Sequence, residues 1–138
     1  MSKPDRSVGP WPMLAAALLS ALPTMTLADV FVIAHTGLAA SAEDIRDIYT
    51  GEKEMLGSVK LRPLDNHAAQ SEFLSKALSL NAGRYEALWA MKSFRDGLTP
   101  PAAKNSDEEV IAYVQATPGA IGYVTSAPPA SVTVLRKF

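Results

Sequence analysis

The nine residues Ala116-Thr117-Pro118-Gly119-Ala120-Ile121-Gly122-Tyr123-Val124 decide how this chain is read. Pro118 and Gly119 make a turn, and the apolar run that follows is too short for a helix, so 120–124 is expected to be a strand covered on both faces. Gly122 inside it permits close approach of another backbone. Upstream, Ser106-Asp107-Glu108-Glu109 has the form of a capping box, in which a Ser oxygen meets an orphan N–H and an acid follows three places later. Val110, Ile111 and Val114 then share one face of a helix that runs to Thr117. Downstream, Val132, Val134 and Phe138 end the chain in strand-like alternation. The unit is therefore a helix, a tight turn and a buried strand.

The rest of the chain repeats that grammar. Val30-Phe31-Val32-Ile33-Ala34 is a second continuous apolar run, ended by His35-Thr36-Gly37. Ser41-Ala42-Glu43-Asp44 is a second capping box, and Ile45, Ile48 and Tyr49 recur on one side of a short amphipathic helix over 41–50, closed by Gly51. The run 59–64 largely alternates, as a strand does. Pro63 within it, lacking a ladder donor, points to an edge position or to a place where pairing ends. The polar turn Asp65-Asn66-His67 leads into a helix that carries Phe73, Leu74, Ala77 and Leu78 on one face. Asn81 caps a further helix with Tyr85, Leu88 and Trp89 inward, extended by Met91 and Phe94. Asp96-Gly97-Leu98-Thr99-Pro100-Pro101 is read as a loop. Strands alternating with helices predict an α/β sheet with helices on its faces.

Residues 1–28 fall outside that domain. Lys3 and Arg6 give a cationic start, 13–22 is a short run of Ala and Leu, and Thr26-Leu27-Ala28 offers small residues at a cut site, the three parts of a secretory signal. Pro12 and Pro23 bracket an apolar run about half the ~20 residues that a spanning helix needs. The mature chain is expected to be 29–138, one domain. Removing Lys3, Arg6 and Asp5 from 13 basic and 14 acidic residues leaves 11 and 13, a formal charge of −2. That balance gives no basic stripe for nucleic acid. Cysteine is absent, which removes disulfides, thiol nucleophiles, thiolate metal sites and a lipidated anchor together. An exported chain without such an anchor diffuses freely, in a Gram-negative cell in the periplasm.

Two segments, Ala42-Glu43-Asp44-Ile45-Arg46-Asp47-Ile48-Tyr49-Thr50-Gly51-Glu52-Lys53 and the opening nine residues, carry a family resemblance. In their order and spacing the chain resembles the second lobe of the phosphate-type periplasmic substrate-binding proteins of ABC transporters, and above all single-lobe relatives of them, over 30–124. The resemblance implies one lobe of a type II periplasmic-binding-protein-like fold, with a mixed, mainly parallel sheet flanked by helices. It implies a solute-binding role without catalysis, phosphate or another small oxyanion as ligand, and a transporter permease or sensor as partner. A single lobe encloses half a ligand, so two copies facing each other, a homodimer, would complete the site.

The family holds phosphate with an Arg and a Gly-Ser-Gly-Thr type turn, and the matching stretch here is Asp65-Asn66-His67-Ala68-Ala69-Gln70-Ser71. Asp65 falls where the Arg would be, Ala69 replaces the first hydroxyl, and Ser71 keeps the matched one. The ligand-binding set expected from this alignment and from the loop after the first strand is Thr36, Gly37, Asn66, His67, Gln70 and Ser71. The alternative is an interaction or sensory accessory module that kept the lobe and lost the anion pocket. His35 and His67 would form a His-His-Asp set with Asp65 if their loops met, yet no metal-ligand spacing supports one. No nucleophile motif or phosphate-cradling Gly-rich loop occurs, so neither a catalytic residue nor a cofactor is expected. Tyr85, Trp89 and Phe94 read as core packing rather than a stacking platform.

Overall fold

A computed structural model describes residues 28–138. Its elements in chain order are β1 (Phe31–Ala34), α1 (Ala42–Tyr49), β2 (Met55–Leu56), β3 (Val59–Lys60), β4 (Arg62–Asn66), α2 (Gln70–Phe73) with a π-helical continuation (Leu74–Leu78), α3 (Ala82–Asp96), β5 (Ala102–Lys104), α4 (Asp107–Ala116), β6 (Ala120–Val124) and β7 (Thr133–Lys137). Five strands form one sheet in the order β5-β4-β6-β1-β7. β4 runs parallel to both β5 and β6, whereas β1 runs antiparallel to both β6 and β7. The leader expected over 1–28 lies outside the described residues, apart from Ala28. Among them, no helix is long and apolar enough to cross a membrane.

The alternation of side chains along each strand divides the core in two. Ile121 and Tyr123 of β6, with Val32 and Ala34 of β1, pack against α1, α3 and the π-helical turn through Ile45, Ile48, Tyr49, Leu74, Trp89 and their neighbours. Ala120 and Val124 of β6, with Ile33 and Leu64, pack against α4 through Val110 and Val114. All five residues of β6 are buried, as its composition predicts. Both capping boxes are used. Ser41 accepts from the Asp44 amide while Asp44 accepts from the Ser41 amide. Ser106 accepts from the Glu109 amide, but Glu109 reaches the amide of Asn105, one residue before the cap. At the far edge, the residues before β1 and after β7 pair with each other: the Val30 amide donates to Phe138 O at 3.1 Å and the Phe138 amide to Val30 O at 2.8 Å.

Three local expectations are corrected. The run 59–64 is a two-residue arm of a small hairpin followed by β4, and β4 is interior, not an edge. Pro63 is tolerated because it stands where β4 changes partners: Arg62 and Pro63 pair with β6, and Leu64, Asp65 and Asn66 pair with β5. The strand β5 was not expected, since Ala-Ala-Lys has little strand character of its own. Phe94 is 94% exposed, although helix α3 does continue past it to Asp96. Trp89 to Phe94 is a step of five, which turns the side chain by about 140° away from the buried face.

Two glycines set close approaches. Gly119 has φ of +82°, and a Cβ there would stand 2.3 Å from the carbonyl oxygen of Lys60, so the turn before β6 lies directly on β3. Gly122 has room for no side chain either: a Cβ would meet Val110 Cγ1 at 2.6 Å, which sets how near α4 packs on the sheet. We expect Gly122→Ala to lower stability by about 1–3 kcal/mol in urea unfolding through overpacking. Val110→Ala costs stability alone by opening a cavity, but in combination the two substitutions should cost less than their sum. Strict additivity would show that the contact does not limit the packing.

Candidate functional site

Open α/β sheets bind ligands at the carboxyl ends of their parallel strands. Here that place is the end of β4 and β6, where Asn66, the start of α2, Thr125 and the start of α4 converge. Its centre is occupied by the protein itself. The carboxylate of Asp107, first residue of α4, accepts from Asn66 Nδ2 at 2.8 Å, from the Thr125 and Ser126 amides at 3.1 and 2.9 Å, and from their hydroxyls at 3.2 and 2.9 Å. Backbone amides, hydroxyls and a side-chain amide are the donor types that suit an oxyanion. The helix start adds its own favourable field. Burial raises the pKa of Asp107, but the hydrogen bonds from Asn66, Ser126 and Thr125 together outweigh it, and the net shift is downward from 3.8.

Asp65 is engaged separately. It is buried, and its carboxylate accepts from the hydroxyl of Tyr123 at 2.8 Å and from that of Tyr85 at 2.9 Å. Burial pushes its pKa up, against the pull of the two tyrosine hydroxyls and the nearby charge of His67. Tyr123 in turn stacks on Phe73, with ring centroids 3.9 Å apart, and Tyr49 meets both rings edge-on. The Tyr49 hydroxyl donates to Leu64 O at 2.9 Å. Asp65 therefore serves the core. It is a cross-link among β4, β6 and α3.

The six residues expected at one rim do not meet. Thr36 and Gly37 follow β1, and β1 is antiparallel to β6, so they lie beyond Ala120, at the amino end of β4 and β6. Asn66, His67, Gln70 and Ser71 lie at the carboxyl end, the length of the sheet away, with about 3.3 Å per residue of β6 between. The same geometry separates His35 from His67. His35 Nδ1 instead contacts Val114 O at 2.9 Å. Among the described residues no group of three His, Cys, Asp or Glu could hold a metal.

Within the carboxyl-end group, Asn66 is buried and fully engaged: Nδ2 also donates to Tyr123 O at 2.9 Å, and Oδ1 accepts from the Ala68 amide at 3.0 Å. The amides of His67 and Ala69 are likewise taken, by Lys104 O and Asn66 O. His67 and Ser71 present exposed side chains and Gln70 a half-buried one. The hollow beside them, about 360 Å³, is bordered by two acidic residues, Asp65 and Glu86. Glu72, also in the first turn of α2, carries a buried Oε2 with no hydrogen-bond partner among the described residues. Sequence reasoning missed Asp107, Thr125 and Ser126 as a site. Ser106-Asp107 was visible only as a helix start.

Two consequences can be measured. Asp107→Ala leaves five donor contacts without their acceptor and should lower stability by about 2 kcal/mol or more. Acetate should then recover part of the loss by binding the vacated donors, while chloride at equal ionic strength does not. Asp107 and Asp65 should also give opposite pH arms. For Asp107 the folded pKa lies below the unfolded one, so its stabilisation is full above 3.8 and is lost as pH falls through the folded value. For Asp65 the folded pKa is raised, so its contribution is greatest below 3.8 and declines as pH rises through the folded value. Denaturant titrations of Asp107→Asn and Asp65→Asn against pH should each flatten one arm only.

No family model matches the chain, and no curated protein matches it. Among solved structures the chain is similar to a phosphate ABC transporter substrate-binding protein with bound phosphate from Clostridium perfringens, at 19% identity and a TM-score of 0.51, covering 79% of this chain and 45% of that one. It is also similar to an ABC-type phosphate transport receptor from Vibrio cholerae, at 15% identity and a TM-score of 0.52, covering 80% of this chain and 47% of that one. The chain thus spans less than half the length of these two proteins. With its mixed sheet and flanking helices, it has the fold of a single lobe of a type II periplasmic-binding-protein-like structure.

Proposed function

We propose that this chain is a non-catalytic module of the solute-binding fold that has lost the anion pocket, and that it works by docking on a protein partner of the transporter-permease or sensor kind. The observation that supports this reading is the engagement of Asp107 by Asn66, Thr125 and Ser126 at the carboxyl end of the parallel strands. An internal carboxylate stands where an external oxyanion would need its donors, and it is tethered, so it competes at high effective concentration. Asp65 and Glu86 border the hollow beside His67 and Gln70, and negative charge there would repel a phosphate. The cationic and apolar start of the chain supports export, cleavage after Ala28 and residence in the periplasm as a mature domain of 29–138.

A second reading keeps a ligand. His67, Gln70 and Ser71 offer polar side chains at the strand-to-helix junction, and the Clostridium perfringens neighbour was solved with phosphate. A small oxyanion, phosphate by resemblance, would then bind weakly at this rim, or more firmly between two facing copies. Calorimetric titration of the purified protein with phosphate separates the two. We expect no saturable heat at millimolar phosphate. Saturable heat that disappears in Ser71→Ala and His67→Ala would establish oxyanion binding and overturn the leading reading.

A further inference from the structure

Three basic side chains, Lys53, Lys60 and Arg62, lie together at the other end of the sheet. A cavity of about 440 Å³ opens at the amino end of β4 and β5, within the ~300–1,000 Å³ span of small-molecule sites. Its apolar lining includes Leu61, Leu64 and Trp89, all buried, with Leu98, Pro100 and Pro101 beside them. Lys53, Glu54, Lys60 and Arg62 supply its charged groups. Lys53 is paired with Asp44 at 2.6 Å, whereas Lys60 and Arg62 make no ion pair among the described residues. Set against Glu54, they leave the cavity with a net positive charge.

The lining is also held in place before any ligand arrives. The Trp89 indole N–H donates to Tyr49 O at 3.0 Å, which fixes the ring. Gly51 lies against it so closely that a Cβ would stand 3.1 Å from the Trp89 ring and 3.5 Å from Leu98. Lys92, at 2.5 Å from Glu52, ties α3 to the segment after α1. Two successive prolines stiffen the loop that leads to β5. A preformed apolar cavity of this size with two unpaired cations is matched by a small molecule with an apolar body and one anionic head.

We propose that this cavity binds small amphipathic carboxylates, the apolar body against Trp89 and Leu98 and the carboxylate toward Lys60 and Arg62. The site is separate from the carboxyl end of β4 and does not depend on the function proposed above. Titration of the full-length, ¹⁵N-labelled protein with 3-phenylpropanoate tests it. The expected result is saturable shifts of the Trp89 indole signal and of the Arg62, Gly97 and Leu98 amides. The neutral 3-phenylpropanamide should bind about three- to fivefold more weakly, as should 3-phenylpropanoate to Lys60→Gln/Arg62→Gln, given the modest worth of exposed charge contacts. Both substitutions are at exposed side chains, so the variant's amide spectrum should otherwise match the parent's. Equal affinity for the acid and its amide, equal affinity in parent and variant, an absence of shifts, or shifts centred on 67–71 would each overturn the proposal.

Discussion

A buried carboxylate between two tyrosine hydroxyls organises this domain. Asp65 lies on the interior strand β4, Tyr123 on the fully buried β6 and Tyr85 on α3, so one side chain fastens three elements that are distant in sequence. The arrangement is costly in isolation, because burial disfavours the charge, and each hydroxyl is there to oppose that cost. The aromatic cluster of Tyr49, Phe73 and Tyr123 packs beside it, and the burial of the carboxylate strengthens its hydrogen bonds and raises the penalty for losing any of them. Leu64 on one side of Asp65 faces α4, and Asn66 on the other turns to the Asp107 cluster. Three successive residues of β4 thereby serve three different parts of the molecule.

Much of this was readable from residue types and spacing, and the remainder was not for identifiable reasons. Both buried strands announced themselves as short apolar runs, and the caps at Ser41, Asn81 and Ser106 occur where their side chains predict. These are local features. The Asp107 cluster is not local: its partners lie 41, 18 and 19 residues away, and only the parallel pairing of β4 with β6 brings them together. The strand β5 exists because β4 offers it a ladder, not because Ala-Ala-Lys requires one. Thr36 and Gly37 were grouped with the β4 loop on the expectation of a common sheet edge. The antiparallel placement of β1 puts them at the opposite one, and nothing in the apolar run 30–34 reveals strand direction.

The contrast between fold and site is the main lesson of the molecule. Asp65 faces inward and Asp107 gathers the donors at the strand ends, so the polar groups of that rim hold the scaffold together. Donors satisfied by the domain's own carboxylates hold the rim in shape without a bound anion.

The pairing of Val30 with Phe138 has a practical corollary. Both ends of the described chain leave from one corner, beside the carboxyl ends of β4 and β6 and away from the cavity under Lys60 and Arg62. A label placed at residue 29 or at residue 138 would stand nearer the Asp107 corner than the cavity lined by Lys60 and Arg62. Immobilisation through such a label would leave the cavity end of the sheet facing outward.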